Sequence, residues 1–478
     1  MPVVRGARGV PGVRPAAGRA LRYLGRPIRA RKTSAQEAGG LTGNHRVTAV
    51  VAARDGAVWL PAVLIVLGGQ TRHPDHVVGI DVGSSDASPR ILTESLGADR
   101  VVELAASPEG NTVGFGEAVR QALAATVAAE AFRPDADEAF DAQTTEWIWL
   151  LHDDSAPAAD CLQMLLEAAD AYPRAAVLGP KSLGWHDRRL LLEVGFTISG
   201  SGRRVTGLER REHDQGQHDN RSEVHAVGSA GMLVRRDVWD ELGGFDPALP
   251  LYRDDLDLCW RVWRSGHEVR VVPDAVLHHR EASYHGRREG STEPSHGYRL
   301  DRRSAIHVLM AQTPTWRLPF TAIRLALGSG MRALLYLLGK DVSRAADEVL
   351  AVGSVLAHPG QLSRSRASVR ATSVMSSRAA VGEFRPKATS QVRTALEALG
   401  GVITAGRTPA APGVGALESG PVSDDADLFE DPAGGWLRRV LARPGVAVVL
   451  ALLVAAIVAN RTLWWGDGVL FGGALLPS

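Results

Sequence analysis

Trp147-Ile148-Trp149-Leu150-Leu151 runs directly into His152-Asp153-Asp154. Five consecutive apolar side chains suit a strand buried on both faces, as in a parallel sheet. Carboxylates placed straight after such a strand are costly unless they meet a cation or hydrogen-bond donors. The same texture recurs upstream. Val47–Ala53 is a short apolar, β-branched run, and Val77–Val82 is a second one that leads into Gly83-Ser84-Ser85-Asp86. Helical patterns follow around Trp59–Leu67, Ile91–Leu96, Phe115–Ala129 and Asp160–Ala171, with a further strand at Arg100–Leu104. Strand and helix alternating on short connections predict an α/β fold, a mostly parallel sheet flanked by helices. Such sheets bind ligands at the carboxyl ends of their strands, where Asp81, Asp153 and Asp154 stand.

Downstream, residues 180–226 look irregular, with strand-like pieces at Leu190–Ile198 and a polar loop, Glu212–His225, read as mobile and solvated. Its His213, His218 and His225 have no tight metal-site spacing. Order returns over 227–280, where Asp254-Asp255-Leu256-Asp257 is followed by a strand ending in His278-His279. Carboxylates and one imidazole at strand ends suit a hard divalent cation such as Mg²⁺ or Mn²⁺. A carboxylate off the metal can take a proton from a hydroxyl.

The bulk numbers fit two or three units of ordinary size, at 478 residues with 45% hydrophobic and 22% charged content. Only four of the 54 basic residues are Lys. With Ala and Gly so frequent, the Arg excess reads as coding bias and gives no reason to expect nucleic acid as a partner. Two cysteines, Cys161 and Cys259, make no disulfide framework and suit a reducing compartment. Residues 1–46 lack the apolar core of a signal peptide and read as a basic disordered arm, or an over-extended translation start. Residues 301–358 read as a helical segment, with Trp316–Lys340 apolar enough to lie at a membrane interface. Residues 359–435 are Ser-, Arg-, Ala-, Gly- and Pro-rich and read as a disordered linker. In the last part, 436–478, Gly445–Ala459 is an unbroken apolar run between Arg438, Arg439 and Arg443 on one side and Asn460-Arg461 on the other. With Trp464-Trp465 as an interfacial belt it predicts a transmembrane helix, and the preceding arginines put the catalytic domain on the cytoplasmic side of the cell membrane. The chain stops soon afterwards, which suits a piece of a longer protein.

The order of the clusters is similar to that of family 2 glycosyltransferases with the GT-A (nucleotide-diphospho-sugar transferase) fold, over about residues 47–300. Ala53-Arg54-Asp55 resembles the loop that contacts the nucleotide, and Ile80-Asp81-Val82-Gly83-Ser84-Ser85-Asp86 resembles the "D-x-G-S-x-D" segment. Leu150–Asp154 resembles the DxD-type metal motif. Gly228–Arg236 with Gly243-Gly244-Phe245-Asp246, Tyr252–Arg261, and Pro273–His279 resemble three later motifs of the family. The resemblance implies an inverting transfer from a nucleotide-sugar donor to a glycan or lipid-linked acceptor. Asp255 would be the base and Asp254 its helper. Ala53, Arg54, Asp55, Asp81, Ser84 and Asp153 would face the nucleotide. Asp154 with His279, or its neighbour His278, would hold Mg²⁺ or Mn²⁺. Ala230, Gly231 and Trp260 would face a sugar, although Trp260 and Trp263 read more readily as core than as a sugar platform. Asp257 and Arg261 would pair structurally.

Two departures bear on this. Arg54-Asp55 and Arg120 stand where asparagine-bearing motifs are common, which blurs the nucleotide side. No QxxRW-like motif follows the Asp cluster, which argues for adding one or a few sugars rather than processive synthesis. The rivals are a membrane-tethered nucleotidyltransferase, for which Ala52–Val58 is a poor loop, and an inactive glycan-binding scaffold. A Rossmann dehydrogenase fails on the missing GxGxxG.

Overall fold

The computed structural model describes residues 43–104, 114–131, 144–209, 211–281, 295–338, 341–386, 468–471 and 474–477. Strand β1 (His45–Ala53) lies between β2 (His76–Val82) and β4 (Thr145–His152), with β3 (Val101–Leu104) outside β2. All four are parallel. Beyond β4 the order continues with β10 (Leu233–Arg235), β6 (Ala175–Gly184), β11 (Glu268–His279) and β5 (Ser155–Pro157). Strand β10 is antiparallel to β4 and β6, β11 runs parallel to β6, and β7 (Leu191–Glu193) adds to the edge of β6. A small hairpin, β8 (Thr197–Ile198) with β9 (Arg204–Val205), stands apart from this sheet.

The alternation of a strand divides the core in two. Val47, Ala49 and Val51 of β1 and Trp147, Trp149 and Leu151 of β4 face one side. Val50 and Ala52, with Ile148 and Leu150, face the other. Helices α1 (Leu60–Gly68), α2 (Ser88–Leu96) and α4 (Cys161–Ala171) bring Leu60, Leu92, Leu162 and Leu165 to the first face. Helix α3 (Phe115–Ala131) covers the second with Ala118, Val119 and Leu123. The expected mostly parallel sheet between helices is therefore present.

Helices α5 (Arg236–Leu242) and α6 (Asp254–Arg264) follow β10, and four more follow β11. They are α7 (Ser295–Ala311), α8 (Leu318–Leu338), α9 (Val342–Ala357) and α10 (Pro359–Thr372), with a short α11 (Ser377–Val381) after them. Ile306, Val308 and Leu309 of α7 and Leu362 and Val381 beyond it join the same core as α3. The stretch read as a linker from residue 359 thus begins as packed helix. Its arginines misled the compositional reading, because Arg366 turns inward and donates to Met310 O and Thr313 O, each at 2.6 Å. Those carbonyls lie at and just beyond the end of α7, where helical partners run out.

The loop Glu212–His225 is also held, contrary to the expectation of a mobile one. Lys181 Nζ on β6 binds Asp214 at 2.9 Å and Asp219 at 2.8 Å. His213 and His218 pair with Asp187 and Glu212, and buried His225 meets Thr197 Oγ1 at 2.9 Å. Among the described residues no helix is long and apolar enough to cross a membrane. The Gly445–Ala459 run and the basic segment 1–42 lie outside the described residues. Gly468–Phe471 (β12) and Ala474–Pro477 (β13), inside the stretch expected to carry the span, pair as an antiparallel hairpin.

Candidate active site

Because β1 and β2 are parallel neighbours with Ala53 opposite Asp81, the loops leaving them meet at the carboxyl edge of the sheet. Asp55, in the left-handed region at φ 47°, donates its N–H to Ser84 Oγ at 2.9 Å. Its carboxylate accepts from Ser85 N at 2.7 Å. Gly56 N–H donates to Ser88 Oγ at 3.0 Å, and Ala57 N–H to Asp86 at 2.8 Å. Beneath this clasp, Asp81 is buried and accepts from Ser84 N at 2.9 Å through one oxygen. The other oxygen, Oδ1, is buried with no hydrogen-bond partner among the described residues. Burial pushes this carboxyl above its usual range against the pull of the Ser84 contacts. An acceptor left open beneath a loop is what a base N–H of a nucleotide would fill.

Asp153, after β4, holds the other side of the β1 loop. It accepts from Arg54 N at 2.8 Å and packs so tightly on Gly56 that a Cβ there would sit 2.2 Å from its oxygen. One of its oxygens thus serves the β1 loop directly. Ala53 is buried in the core, so only the backbone of that loop residue borders the site.

Asp154 and His279 meet as the sequence suggests, with Nε2 3.2 Å from Oδ1. Alternation along β11 sends His278 to the opposite face, buried, where burial and Arg188 depress it to about 4. Burial also works to lower His279, but the Asp154 carboxylate outweighs it and holds this imidazole above its ordinary value. A third donor joins them. His152, Asp154 and His279 each offer a ligand atom, all within 4.8 Å of one another. Two imidazoles and a carboxylate form a donor set that fits a divalent transition ion. His152 was not expected, though its i, i+2 spacing from Asp154 on an extended chain was the available signal.

The third cluster stands at the start of α6. Arg253, left-handed at φ 65° and paired with Asp301, turns the chain so that Asp254 and Asp255 occupy the first helical turn. Helix N-termini favour negative charge. Burial, aided by the neighbouring Asp255 and Asp257, nevertheless pushes Asp254 up to about 7. Asp255 accepts from Leu256 N at 2.7 Å and lies 3.5 Å from Arg204 on β9. Arg204 also pairs with Glu193 of β7 and stacks on Phe196 at 3.5 Å. Burial lifts Glu193, with Arg204 opposing and Asp255 adding to the rise. Neither Glu193 nor Arg204 was expected; both come from the stretch that looked irregular.

One turn joins the two charged clusters. Gly228 N–H donates to Glu193 at 2.6 Å, and Ser229 Oγ lies 3.1 Å from His152 Nε2. Ser229 is therefore the polar side chain of this turn. Gly231 has φ +82° and no room for a Cβ beside Pro180. Its carbonyl accepts from Trp149 Nε1 at 3.2 Å. Trp260 is 1% exposed, donates to Ser377 at 3.1 Å and meets the edge of His225. It is core and faces no sugar, because α11 covers it. Asp257 and Arg261 pair at 2.7 Å, and Arg261 also holds the carbonyls of Leu242 and Gly244.

Residues 45–292, just over half of the chain, match the family described as glycosyltransferase like family 2. An N-acetylglucosaminyl-diphospho-decaprenol L-rhamnosyltransferase of Mycobacterium tuberculosis is 26% identical over 281 residues, covering 54% of this chain and 83% of the relative. Among solved structures, GalNAc-T7 with UDP, GalNAc and Mn²⁺ superposes at a TM-score of 0.40 with 13% identity, over 59% of this chain and 50% of that one. The mannosyltransferase PcManGT from Pyrobaculum calidifontis, with GDP-Man and Mn²⁺, superposes at 0.35 with 17% identity, over 74% and 91%.

Proposed function

From the premise that this chain belongs to glycosyltransferase family 2, and so is a glycosyltransferase, we propose that it moves a sugar from a nucleoside-diphosphate donor to a hydroxyl of a lipid-linked or cell-envelope glycan, with inversion. Family membership sets the nucleotidyltransferase and scaffold readings aside. The observation that carries the proposal is the Gly228-Ser229 turn, which ties the His152–Asp154–His279 cluster to the Glu193–Arg204–Asp255 cluster. A leaving diphosphate and an attacking hydroxyl need such neighbouring sites.

In this reading Asp81, with the backbone of Arg54 and Asp55, Ser84 and Asp153, receives the nucleotide. His152, Asp154 and His279 would hold Mn²⁺ or Mg²⁺, which neutralises the diphosphate when bound. Asp255 takes the proton of the acceptor hydroxyl as its oxygen attacks the anomeric carbon opposite the diphosphate. Arg204 and Leu256 N–H orient that carboxylate. Asp254, whose carboxyl is raised by burial and by its neighbour's charge, helps to position the acceptor. The decaprenol-linked acceptor in the mycobacterial relative's name supports a lipid-linked acceptor here. A membrane location, with this domain on the cytoplasmic side, belongs to the same proposal.

The test incubates the purified protein with a panel of nucleotide-sugars, Mn²⁺ and a polyprenyl-diphosphate-linked sugar, and measures released nucleoside diphosphate. Asp255→Asn should bind donor as the parent does and lose transfer by at least ~100-fold. Transfer unchanged in that variant would remove the assigned base. No donor bound or turned over with metal would sink the reading.

A further inference from the structure

Helix α8 shows solvent a broad apolar face. Its inward side mixes buried Leu325 and Ala333 with polar groups. Arg332 donates to Glu348 at 2.7 Å, while Arg324, exposed on the outer flank, reaches Gly200 O at 2.6 Å. Ser329 takes the guanidinium of Arg332 at 3.0 Å, and Tyr336 meets Tyr298. Glu348 of α9 is 0% exposed and also binds Arg302 and Tyr298, at 3.2 and 2.6 Å. The outward side is apolar. Phe320, Ile323, Leu327, Met331 and Leu334 follow one another at spacings of three or four, a single stripe, with Phe320 71% and Leu327 70% exposed. Val349 and Leu356 extend the surface onto α9, and Trp316 stands exposed at its start.

We propose that this outer face of α8 and α9 lies in the headgroup–acyl boundary of an anionic bilayer. An exposed apolar surface of this extent marks a contact, and three features favour lipid. The helix carries no Asp or Glu between Leu318 and Leu338. Its entry bears Arg317 stacked on Trp316 at 4.4 Å, an aromatic and a cation of the kind that settle at headgroup level. Arg324, exposed beside the stripe, adds a second cation. A two-fold contact between copies would set these cations against their own images, whereas anionic headgroups complement them. The helix, which is not long and apolar enough to cross a membrane, suits an in-plane position. The contact rests on the surface alone; its use, bringing a lipid-linked acceptor within reach, rests on the function proposed above.

The test uses the full chain with a nitroxide label at Leu327→Cys, and at Ile65→Cys on α1 as control. The native Cys161 and Cys259 are buried and will not compete. On vesicles of phosphatidylcholine with phosphatidylglycerol, the label at 327 should gain collisions with oxygen and lose them with a water-soluble nickel chelate by severalfold. The label at 65 should stay in water. A 327 label still exposed to the chelate on bound vesicles overturns the proposal, as does chelate exposure because no vesicles bind. Shielding before any lipid is added also overturns it and assigns the face to another copy or to another part of this chain. Leu327→Glu should slow transfer to a lipid-linked acceptor in vesicles at least fivefold and leave a short, soluble analogue unaffected. Loss of transfer to both acceptors in the parent would defeat the enzymatic reading and leave the labelling result standing.

Discussion

At the residue scale, the carboxylates of α6 carry a stability signature. Asp254 is held near 7 in the fold and titrates near 3.8 when unfolded, so the folded state binds the extra proton. Its favourable contribution is complete below the unfolded value and is lost as pH rises through the folded one. Asp254→Asn should therefore match the parent near pH 4 and exceed it at pH 8 by ~2–4 kcal/mol, read from denaturant melts at each pH. A constant gap would remove the assigned cause. The metal cluster titrates in the other sense, because His279 must shed its proton to bind an ion and Asp154 makes that harder. Mn²⁺ affinity should fall up to ~10-fold per pH unit below the pKa of His279. His152→Ala should lower it roughly 10- to 100-fold at fixed pH. Both are measured from the electron paramagnetic resonance signal of free Mn²⁺. The meeting of Asp154 with His279 was legible from the order of the motifs, since an acidic pair after a strand is by itself more often an ordinary loop. His152 was not legible, because its place in the cluster depends on His279, which the fold brings to it from a distant strand.

At the element scale, legibility followed periodicity. β1, β2, β4 and the helices between them are apolar at regular spacing, so their types and order could be read directly. α10 could not, because in Pro359–Thr372 Arg366 turns inward to contacts that composition does not reveal. Arg366 satisfies the carbonyls at the end of α7 from 53 and 56 residues away. Arg366→Met keeps most of the stem's packing and removes those bonds. It should cost ~1–3 kcal/mol, seen as a lowered urea midpoint with unchanged slope. A loss under 0.5 kcal/mol would mean that water replaces the guanidinium at those carbonyls without penalty. The Glu212–His225 loop failed for a related reason, since Lys181 holds it from a strand more than thirty residues earlier.

At the scale of the whole molecule, the site joins two lengths of chain that never alternate in sequence. Residues 45–157 supply the loops at the carboxyl edge of β1 and β2 and His152 and Asp154, while 191–279 supply Glu193, Arg204, Asp255 and His279. The order of motifs announced both lengths, but not the joint between them, since a Gly-Ser turn carries no chemistry until its partners are known. The joint should be measurable as coupling. Ser229→Ala removes the contact to His152, and Glu193→Gln weakens the grip on Gly228 N–H and Arg204. If the turn transmits, the Mn²⁺ affinity of the double variant will depart from the sum of the single effects by about 0.5–3 kcal/mol. Additivity within ~0.3 kcal/mol would make the clusters independent neighbours. Transfer rates from the same four proteins separate the consequences. Ser229→Ala should act through metal occupancy and recover at saturating Mn²⁺, whereas Glu193→Gln should stay slow at every Mn²⁺ concentration, because what it disturbs is the orientation of Asp255 through Arg204.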